Sequence, residues 1–155
     1  MKKRLFLVAL SVGAWLLSGC ASVPMASAQA DLTAKEFKAP TNGKAGVYIY
    51  RNESFGGGIK MDVFVDEWLI GSTAQQTYHY VEVTPGLHTF RGKAENNSLL
   101  SLDAAANKLY YIWQEVKMGF VVARNKLQLV DEQKGQAGVG ESQLALSQPI
   151  PENNK

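Results

Sequence analysis

"AGVYIYR" (45–51) is the stretch that decides the fold class. Val47 and Ile49 fall on one face of an extended segment and Tyr48 and Tyr50 on the other, which is the period-two pattern of a β-strand. Similar short apolar and aromatic runs recur along the chain, separated by turn formers, at "KMDVFVD" (60–66), "TYHYVEV" (77–83), "LHTFRGKA" (87–94), "SLLSLD" (98–103), "KLYYIWQEV" (108–116) and "KLQLVD" (126–131). This rhythm predicts an all-β domain over 45–146, a single antiparallel β-sandwich of about seven strands.

Two turns carry more detail. Asp66-Glu67 stands where a two-residue hairpin turn would need positive φ at both residues, so either that turn or a longer one fits the sequence. Pro85-Gly86 predicts a type II turn, which splays a tight hairpin and therefore indicates a corner leading into the next strand.

The segments flanking the predicted sandwich have little periodicity. Residues 20–44 are rich in Ala, Ser, Thr and Lys, and we interpret them as a flexible tether with a reach of roughly 25–30 Å. Glu132–Leu146 has weak helical spacing interrupted by glycines, which predicts a short C-terminal helix. Residues 147–155 are predicted to be disordered.

The N-terminus has the three parts of a secretory signal. Lys2, Lys3 and Arg4 precede the apolar run "LFLVALSVGAWLL" (5–17), and the small residues Ser18 and Gly19 follow it. The run is shorter than the roughly 20 apolar residues that a spanning helix needs. We therefore predict a signal peptide over 1–19.

"LSGC" (17–20) contains the single cysteine of the 155 residues and resembles the lipobox of bacterial lipoproteins. The resemblance implies cleavage between Gly19 and Cys20 and attachment of lipid, including palmitate, to Cys20. Because Ala21 rather than aspartate follows the cysteine, it also implies sorting to the outer membrane, facing the periplasm, in an organism with two membranes. An ordinary signal peptide cut near "ASA" (26–28), which would discard Cys20, is the alternative.

Composition excludes several classes of function. The chain has 16 Lys+Arg and 14 Asp+Glu; leaving out Lys2, Lys3 and Arg4 leaves 13 basic residues, a net charge of −1. No basic field therefore remains to attract nucleic acid or anionic lipid. One cysteine also cannot form an internal disulfide or a multi-cysteine metal site.

Taken in order, the leader, the tether, "VYIYR", "VFVDEWLIG", "TPGLHTF", "KLYYIWQEV" and "LQLVDEQKGQ" resemble small bacterial lipoproteins of the domain-of-unknown-function family twenty-eight forty-six. Two positions depart from that pattern: Asn52 stands where proline is common, and Glu67 stands where glycine is common. The resemblance implies an envelope location and a β-domain, with no established reaction.

Residues that could carry chemistry are scattered. His79 and His88 fall about 13 Å apart in the predicted ladder, too far to share a metal, and we interpret them as surface or strand-edge residues. "SFGGGIK" (54–60) lacks the Gly-Lys-Ser/Thr of a phosphate-binding loop and is interpreted as a mobile loop. The carboxylates lie on separate strands, at Asp62, Asp66, Glu82, Asp103 and Glu115.

Aromatic rings concentrate in the strands, at Tyr48, Tyr50, Phe64, Trp68, Tyr78, Tyr80, Tyr110, Tyr111 and Trp113. Both faces of "LYYIWQ" (109–114) carry large apolar groups, which predicts burial on both sides and core packing for most rings. An outward Tyr/Trp strip would suit a sugar or peptide partner.

These observations predict a lipid-anchored, non-enzymatic envelope module that acts in structure or interaction. We expect no cofactor, metal or nucleic acid, a membrane attachment through lipid on Cys20, and an envelope protein or peptidoglycan as partner. The first alternative is a glycan- or peptidoglycan-binding lipoprotein that uses exposed Tyr and Trp. The second is a hydrolase that uses dispersed carboxylates.

Overall fold

The computed structural model describes residues 21–40 and 42–151. Over these residues the elements are, in chain order, α1 (Ala28–Ala34), β1 (Ala45–Arg51), β2 (Met61–Val65), β3 (Trp68–Thr73), β4 (Thr77–Val83), β5 (Gly86–Lys93), β6 (Asn97–Ala104), β7 (Leu109–Lys117), β8 (Arg124–Val130), α2 (Glu132–Gly140) and β9 (Gln143–Leu144). The mostly-β prediction and the short C-terminal helix are confirmed. The described residues contain nine strands rather than about seven, because β3 and the two-residue β9 join the predicted set.

The strands form two sheets, one with the order β8-β7-β1-β4-β9 and the other with the order β3-β2-β5-β6. The prediction of a purely antiparallel sandwich is wrong at two places, since β1 pairs in parallel with β7 and β4 pairs in parallel with β9. For β1 and β7 the reason is topological. Between β4 and β7 the chain crosses to the second sheet to form the β5–β6 hairpin, and it returns to the first sheet in the same direction as β1.

The inter-sheet core follows the alternation read from the sequence. Val47 and Ile49 of β1 are fully buried and pack in one apolar cluster with residues of the second sheet, including Val63, Val65 and Phe90. Burying aliphatic and aromatic side chains of this size stabilises the fold by about 1.5–3 kcal/mol each.

Both sequence-marked turns are present. Asp66 and Glu67 have φ of 48° and 71° and close a two-residue hairpin in which Val65 pairs with Trp68. The strained tip is held by β5, since the Asp66 amide donates to the Thr89 carbonyl (2.9 Å) and Asp66 Oδ1 accepts from the Thr89 amide (2.8 Å). At the other turn, Gly86 has a φ of 127° and the chain passes from the first sheet to the second, so the corner interpretation is confirmed.

The segments that precede and follow the sandwich in the sequence both pack against it. The N-terminal segment 21–26 runs beside β9, where the Ala26 amide donates to the Leu144 carbonyl and the Leu146 amide donates to the Pro24 carbonyl, both at 2.9 Å. Its Val23 is buried with Ala74 and Ala145. Thus part of the range predicted as a flexible tether contacts the domain.

The start of the predicted disordered tail also contacts the domain, since the Gln148 amide donates to the Ile70 carbonyl at 2.7 Å. Neither helix in the described part of the chain is long and apolar enough to cross a membrane.

Candidate functional site

Five tyrosines lie on the face of the first sheet that points away from the inter-sheet core, and we call them the tyrosine cluster: Tyr48, Tyr50, Tyr78, Tyr80 and Tyr111. The Tyr48 ring stacks on that of Tyr111 with centroids 5.3 Å apart, and Tyr80 lies 4.7 Å from Tyr48. All but Tyr80 are buried, so the burial of "LYYIWQ" on both faces is confirmed at Tyr111 and Ile112. The rings therefore form a second core rather than an exposed strip.

Helix α2 covers one side of the tyrosine cluster through two glycines. A Cβ built on Gly135 would lie 2.2 Å from Cγ of Tyr111, and one built on Gly138 would lie 2.1 Å from Cε2 of Tyr50. Val139 of the same helix is fully buried. The helix can approach the rings this closely because it has no side chain at the two points of contact.

Helix α1 covers the other side and is held by polar contacts. Asp31 Oδ1 accepts hydrogen bonds from the Tyr78 hydroxyl and the Leu144 amide, both at 2.9 Å, and Asp31 Oδ2 accepts from Lys35 Nζ at 2.8 Å. The Tyr48 hydroxyl donates to the Ala34 carbonyl at 2.6 Å. Burial would raise the pKa of Asp31, but the hydrogen bonds from Lys35, Tyr78 and Leu144 outweigh it and lower the pKa.

An open groove remains beside α1, with a volume of about 540 Å³ and with Ala30, Ala34, Tyr48, Tyr80 and Leu144 among its lining residues. This volume lies within the usual range of small-molecule sites. Burial raises the pKa of both tyrosines, so their hydroxyls stay protonated at neutral pH. The groove offers stacking and hydrogen bonding rather than a base or a nucleophile.

The two histidines are separated onto different sheets, and both are structural. His79 is buried, with Nε2 3.1 Å from the Ser72 carbonyl and Nδ1 3.0 Å from the Ser147 hydroxyl. Burial lowers the pKa of His79, so its ring is held neutral. His88 bridges the hairpin tip to β5 through Asp66. Of the two histidines interpreted as surface or strand-edge residues, His79 is therefore not at the surface, although β9 pairs only with Thr77 and Tyr78 of its strand.

The carboxylates form local contacts and do not converge on a large cleft. Asp66 and Glu82 line one small pocket with His88, but its volume of about 60 Å³ is far below that of a typical ligand site. Both Asp66 oxygens already accept hydrogen bonds from β5, and Glu82 accepts from the Tyr80 hydroxyl. Among the described residues no cluster of His, Cys, Asp and Glu is arranged to hold a metal ion.

The glycine-rich loop 52–60 surrounds a buried guanidinium. Arg51 is fully buried, and its Nη1 donates to the Ile59 carbonyl (2.7 Å) while Nη2 donates to the carbonyls of Gly56 (2.7 Å) and Phe55 (3.2 Å). The loop presents carbonyl oxygens to a cation, which is the reverse of the amide cradle that binds phosphate. The next carbonyl, that of Gly57, accepts from the Ala21 amide at 3.0 Å.

Strand register brings four loops to the same end of the sandwich as Ala21, and we call this the Ala21 end: loops 52–60, 74–76, 94–96 and 118–123. The loops are joined to one another. Ile59 of loop 52–60 packs in one apolar cluster with Val116, which precedes loop 118–123, and with Ala123, the last residue of that loop. Loop 94–96 is tied to β8 by a reciprocal pair, in which Asn96 Nδ2 donates to the Asn125 carbonyl and the Asn125 amide donates to Asn96 Oδ1.

Loop 118–123 is the feature that sequence reasoning missed. Its apolar side chains are exposed, with relative exposures of 82% for Met118, 97% for Phe120 and 90% for Val121. Phe55 on the neighbouring loop is also exposed. The apolar run "MGFVVA" (118–123), standing between two strands, was the available signal.

The predicted lipidation residue Cys20 and the predicted cleavage residue Gly19 lie outside the described residues.

A family model described as "Protein of unknown function (DUF2846)" matches residues 41–126. The chain belongs to this family. The resemblance drawn from the order of the sequence motifs is thus confirmed. The matched DUF2846 region begins just before β1 and ends within β8, so it covers the sandwich strands β1 to β7 and leaves out both helices.

One relative extends beyond that region. An uncharacterized protein of Haemophilus influenzae is 37% identical over 147 residues, which cover 94% of this chain and 88% of the relative. Because so much of the chain is covered, the similarity includes the helices α1 and α2 that pack on the tyrosine cluster. No solved structure matches this chain.

Proposed function

We propose that this protein is a lipid-anchored lipoprotein of the bacterial cell envelope whose β-sandwich serves as a non-enzymatic structural or interaction module. The proposal combines the lipobox-like "LSGC" (17–20) with the contacts made by the residues directly after it. In an organism with two membranes, we propose attachment to the outer membrane facing the periplasm.

The observation that carries the proposal is the packing of residues 21–26. A cut near Ala26–Ala28 would remove Val23, which is buried with Ala74 and Ala145, and would remove the backbone bonds that link this segment to Leu144 and Leu146. Cleavage between Gly19 and Cys20 keeps all of these contacts. The fold therefore supports processing at the lipobox over processing at the later site.

The chemistry of the site supports a module without catalysis. The buried tyrosines have raised pKa values, His79 is held neutral by burial, and the pocket that contains Asp66 and Glu82 has room for little more than water. Each of these groups has a structural contact that accounts for its position.

The test is to follow processing and location in cells. Globomycin should cause uncut precursor to accumulate, and the mature protein should carry an acylated Cys20 by mass spectrometry. Cys20→Ser should move the protein out of the membrane fraction. Normal processing in globomycin, or a mature N-terminus at 27 to 29, would overturn the anchor.

A second candidate function is binding of glycan or peptidoglycan in the groove beside α1. The observation that favours it is the half-buried Tyr80 ring next to Tyr48, since exposed aromatic faces stack on sugars. Binding of muropeptides in the groove should quench tyrosine fluorescence. Tyr80→Ala should abolish this quenching, whereas Tyr110→Ala, on another face of the sheet, should leave it intact. Equal responses of the two variants would reject the groove as the site.

A further inference from the structure

Loop 118–123 presents apolar side chains in a fixed arrangement. The Glu95 carboxylate accepts hydrogen bonds from the amides of Phe120 (2.9 Å), Val121 (2.7 Å) and Val122 (3.0 Å). A Cβ on Gly119 would lie 1.8 Å from the Val122 carbonyl oxygen, so the loop closes tightly at its base. The side chains of Met118, Phe120 and Val121 are thereby held in solvent.

The same three hydrogen bonds prepare the loop to leave water. Backbone amides that enter an apolar medium without partners are strongly disfavoured. At Phe120, Val121 and Val122 the amides already have a carboxylate acceptor, so these donors stay paired when the apolar side chains leave water. The ionised Glu95 carboxylate itself has to stay at the polar boundary, which limits the contact to the side chains at the tip.

The position of the loop indicates what it contacts. Ile59 of loop 52–60 packs with Val116 and Ala123 at the base of loop 118–123, and the Gly57 carbonyl accepts a hydrogen bond from the Ala21 amide. Consecutive Cα atoms are about 3.8 Å apart, so a lipid on the residue before Ala21 starts at this same end. Phe55 on loop 52–60 is also exposed.

Charged side chains of both signs border the apolar tip, since Glu53 stands on loop 52–60 and Glu95 on loop 94–96. Exposed basic side chains stand at Lys60, Lys93 and Arg124, which border loops 52–60, 94–96 and 118–123. Basic groups that flank an apolar tip are attracted by anionic headgroups while the tip enters the boundary with the acyl chains.

We propose that the Ala21 end is a membrane-contacting face, in which Phe120, Val121, Met118 and Phe55 enter the surface of the bilayer that holds the lipid anchor. This inference rests on the proposed lipid attachment at Cys20. It fixes the orientation of the sandwich: the Ala21 end faces the lipid, and the opposite end, with the Asp66-Glu67 hairpin tip, faces away from it.

The experiment uses the full lipidated chain, reconstituted in vesicles of phosphatidylethanolamine and phosphatidylglycerol. Because lipidation consumes the thiol of the single native cysteine, Phe120→Cys provides one labelling site for an environment-sensitive fluorophore. Leu87→Cys is the matched control, since Leu87 is also exposed (74%) but starts β5 at the opposite end.

The probe at 120 should be quenched by lipid-borne nitroxides at a depth of roughly 5–10 Å and should lose most of its quenching by aqueous iodide. The probe at 87 should show the reverse. Equal iodide quenching at 120 and 87 would overturn the proposal. Protection of 120 from iodide without quenching by lipid would also overturn it, since a protein partner or a second copy would then cover the loop.

Failure of the anchor would give a different result. The lipidated chain without an introduced cysteine should float with the vesicles, and after denaturation it should have no thiol that reacts with maleimide. If the chain reacts with maleimide or stays at the bottom of the gradient, the proposed lipid attachment is wrong. Quenching of the probes at 120 and 87 is then compared for the protein without lipid, mixed with the same vesicles.

Discussion

The backbone of Gly138 lies directly against the ring of Tyr50, with room for a hydrogen but none for a methyl group. A Cβ there would approach Tyr50 Cε2 to 2.1 Å, and Gly135 stands in the same relation to Tyr111. The two positions are one helical turn apart and share a face of α2. The glycines therefore set the distance at which α2 covers the tyrosine cluster.

Gly138→Ala tests this contact. Helix propensity alone would make alanine more stable than glycine by up to about 1 kcal/mol. The overlap with a buried ring forces α2 outward, so we expect a net loss of about 1–3 kcal/mol in the free energy of unfolding. Denaturant unfolding followed by intrinsic fluorescence measures it.

Gly140→Ala is the control in the same helix, since a Cβ at Gly140 meets no atom within 4 Å. We expect it to be neutral or to stabilise by up to about 1 kcal/mol. Equal effects at Gly138 and Gly140 would show that propensity, not ring contact, decides the stability of α2.

The second prediction concerns Asp31, which joins α1 to Tyr78 and Leu144. Asp31→Asn keeps the shape of the side chain but removes its charge, and we expect it to lower the free energy of unfolding by about 1–3 kcal/mol. As a control, Glu36→Gln breaks only an exposed ion pair with Lys38 and should change stability by less than about 0.5 kcal/mol.

The pH dependence of the Asp31 effect has a defined sign. The folded-state pKa is lowered from 3.8, so the carboxylate contributes fully above pH 3.8 and its contribution is lost as the pH falls through the folded-state pKa. The difference in unfolding free energy between wild type and Asp31→Asn should therefore shrink below pH 3.8. A difference that stays constant into that range would contradict the charge-based explanation.

The predictable part of the fold is the part encoded by alternation. The alternation in β1 predicts Val47 and Ile49 on one face and Tyr48 and Tyr50 on the other, and the structure confirms both. What covers the tyrosines could not be predicted in the same way. The contact from α2 is made by glycines, which a pattern-based argument counts against a helix and which carry no side chain to signal a packing face.

Parallel pairing of β1 with β7 could not be read from the sequence either. A local pattern identifies strands, but their partners depend on where the chain crosses between sheets, and here the intervening β5–β6 hairpin lies in the second sheet. At the candidate membrane face, the exposure of Phe120 depends on Glu95, a residue 25 positions earlier that binds loop amides. An apolar run in a sequence is otherwise taken for core.

Arg51 is predicted to hold loop 52–60 in place. Arg51→Met would remove the guanidinium donor from the Ile59 carbonyl and would leave the Gly56 carbonyl with the Ile59 amide alone. We therefore expect a loss of about 2–4 kcal/mol in the free energy of unfolding and faster protease cleavage within the loop. Arg51→Lys keeps the charge but not the fork of donors, and it should give a smaller loss.

Arg91→Lys is the matched control for Arg51, since Arg91 is partly exposed and its guanidinium stacks on the Phe64 ring at 3.7 Å. We expect it to lower stability by at most about 1 kcal/mol and to leave cleavage of loop 52–60 unchanged. If Arg51→Met and Arg91→Lys are equally mild, the carbonyl cage around Arg51 contributes little.

Glu95 is predicted to control the order of loop 118–123. Hydrogen bonds from the amides of Phe120, Val121 and Val122 hold the pKa of Glu95 at about 2, below its ordinary value of 4.5. The loop should therefore stay ordered at pH 4.5 and loosen only as the pH falls toward 2, when the carboxylate takes up a proton. Amide chemical shifts at 120 to 122 should titrate with a midpoint near pH 2. Glu95→Gln should shift the same amides at neutral pH and speed their hydrogen exchange, whereas Glu67→Gln at the opposite end should leave them unchanged. A midpoint near 4.5 in the wild type would mean that the carboxylate does not hold the loop.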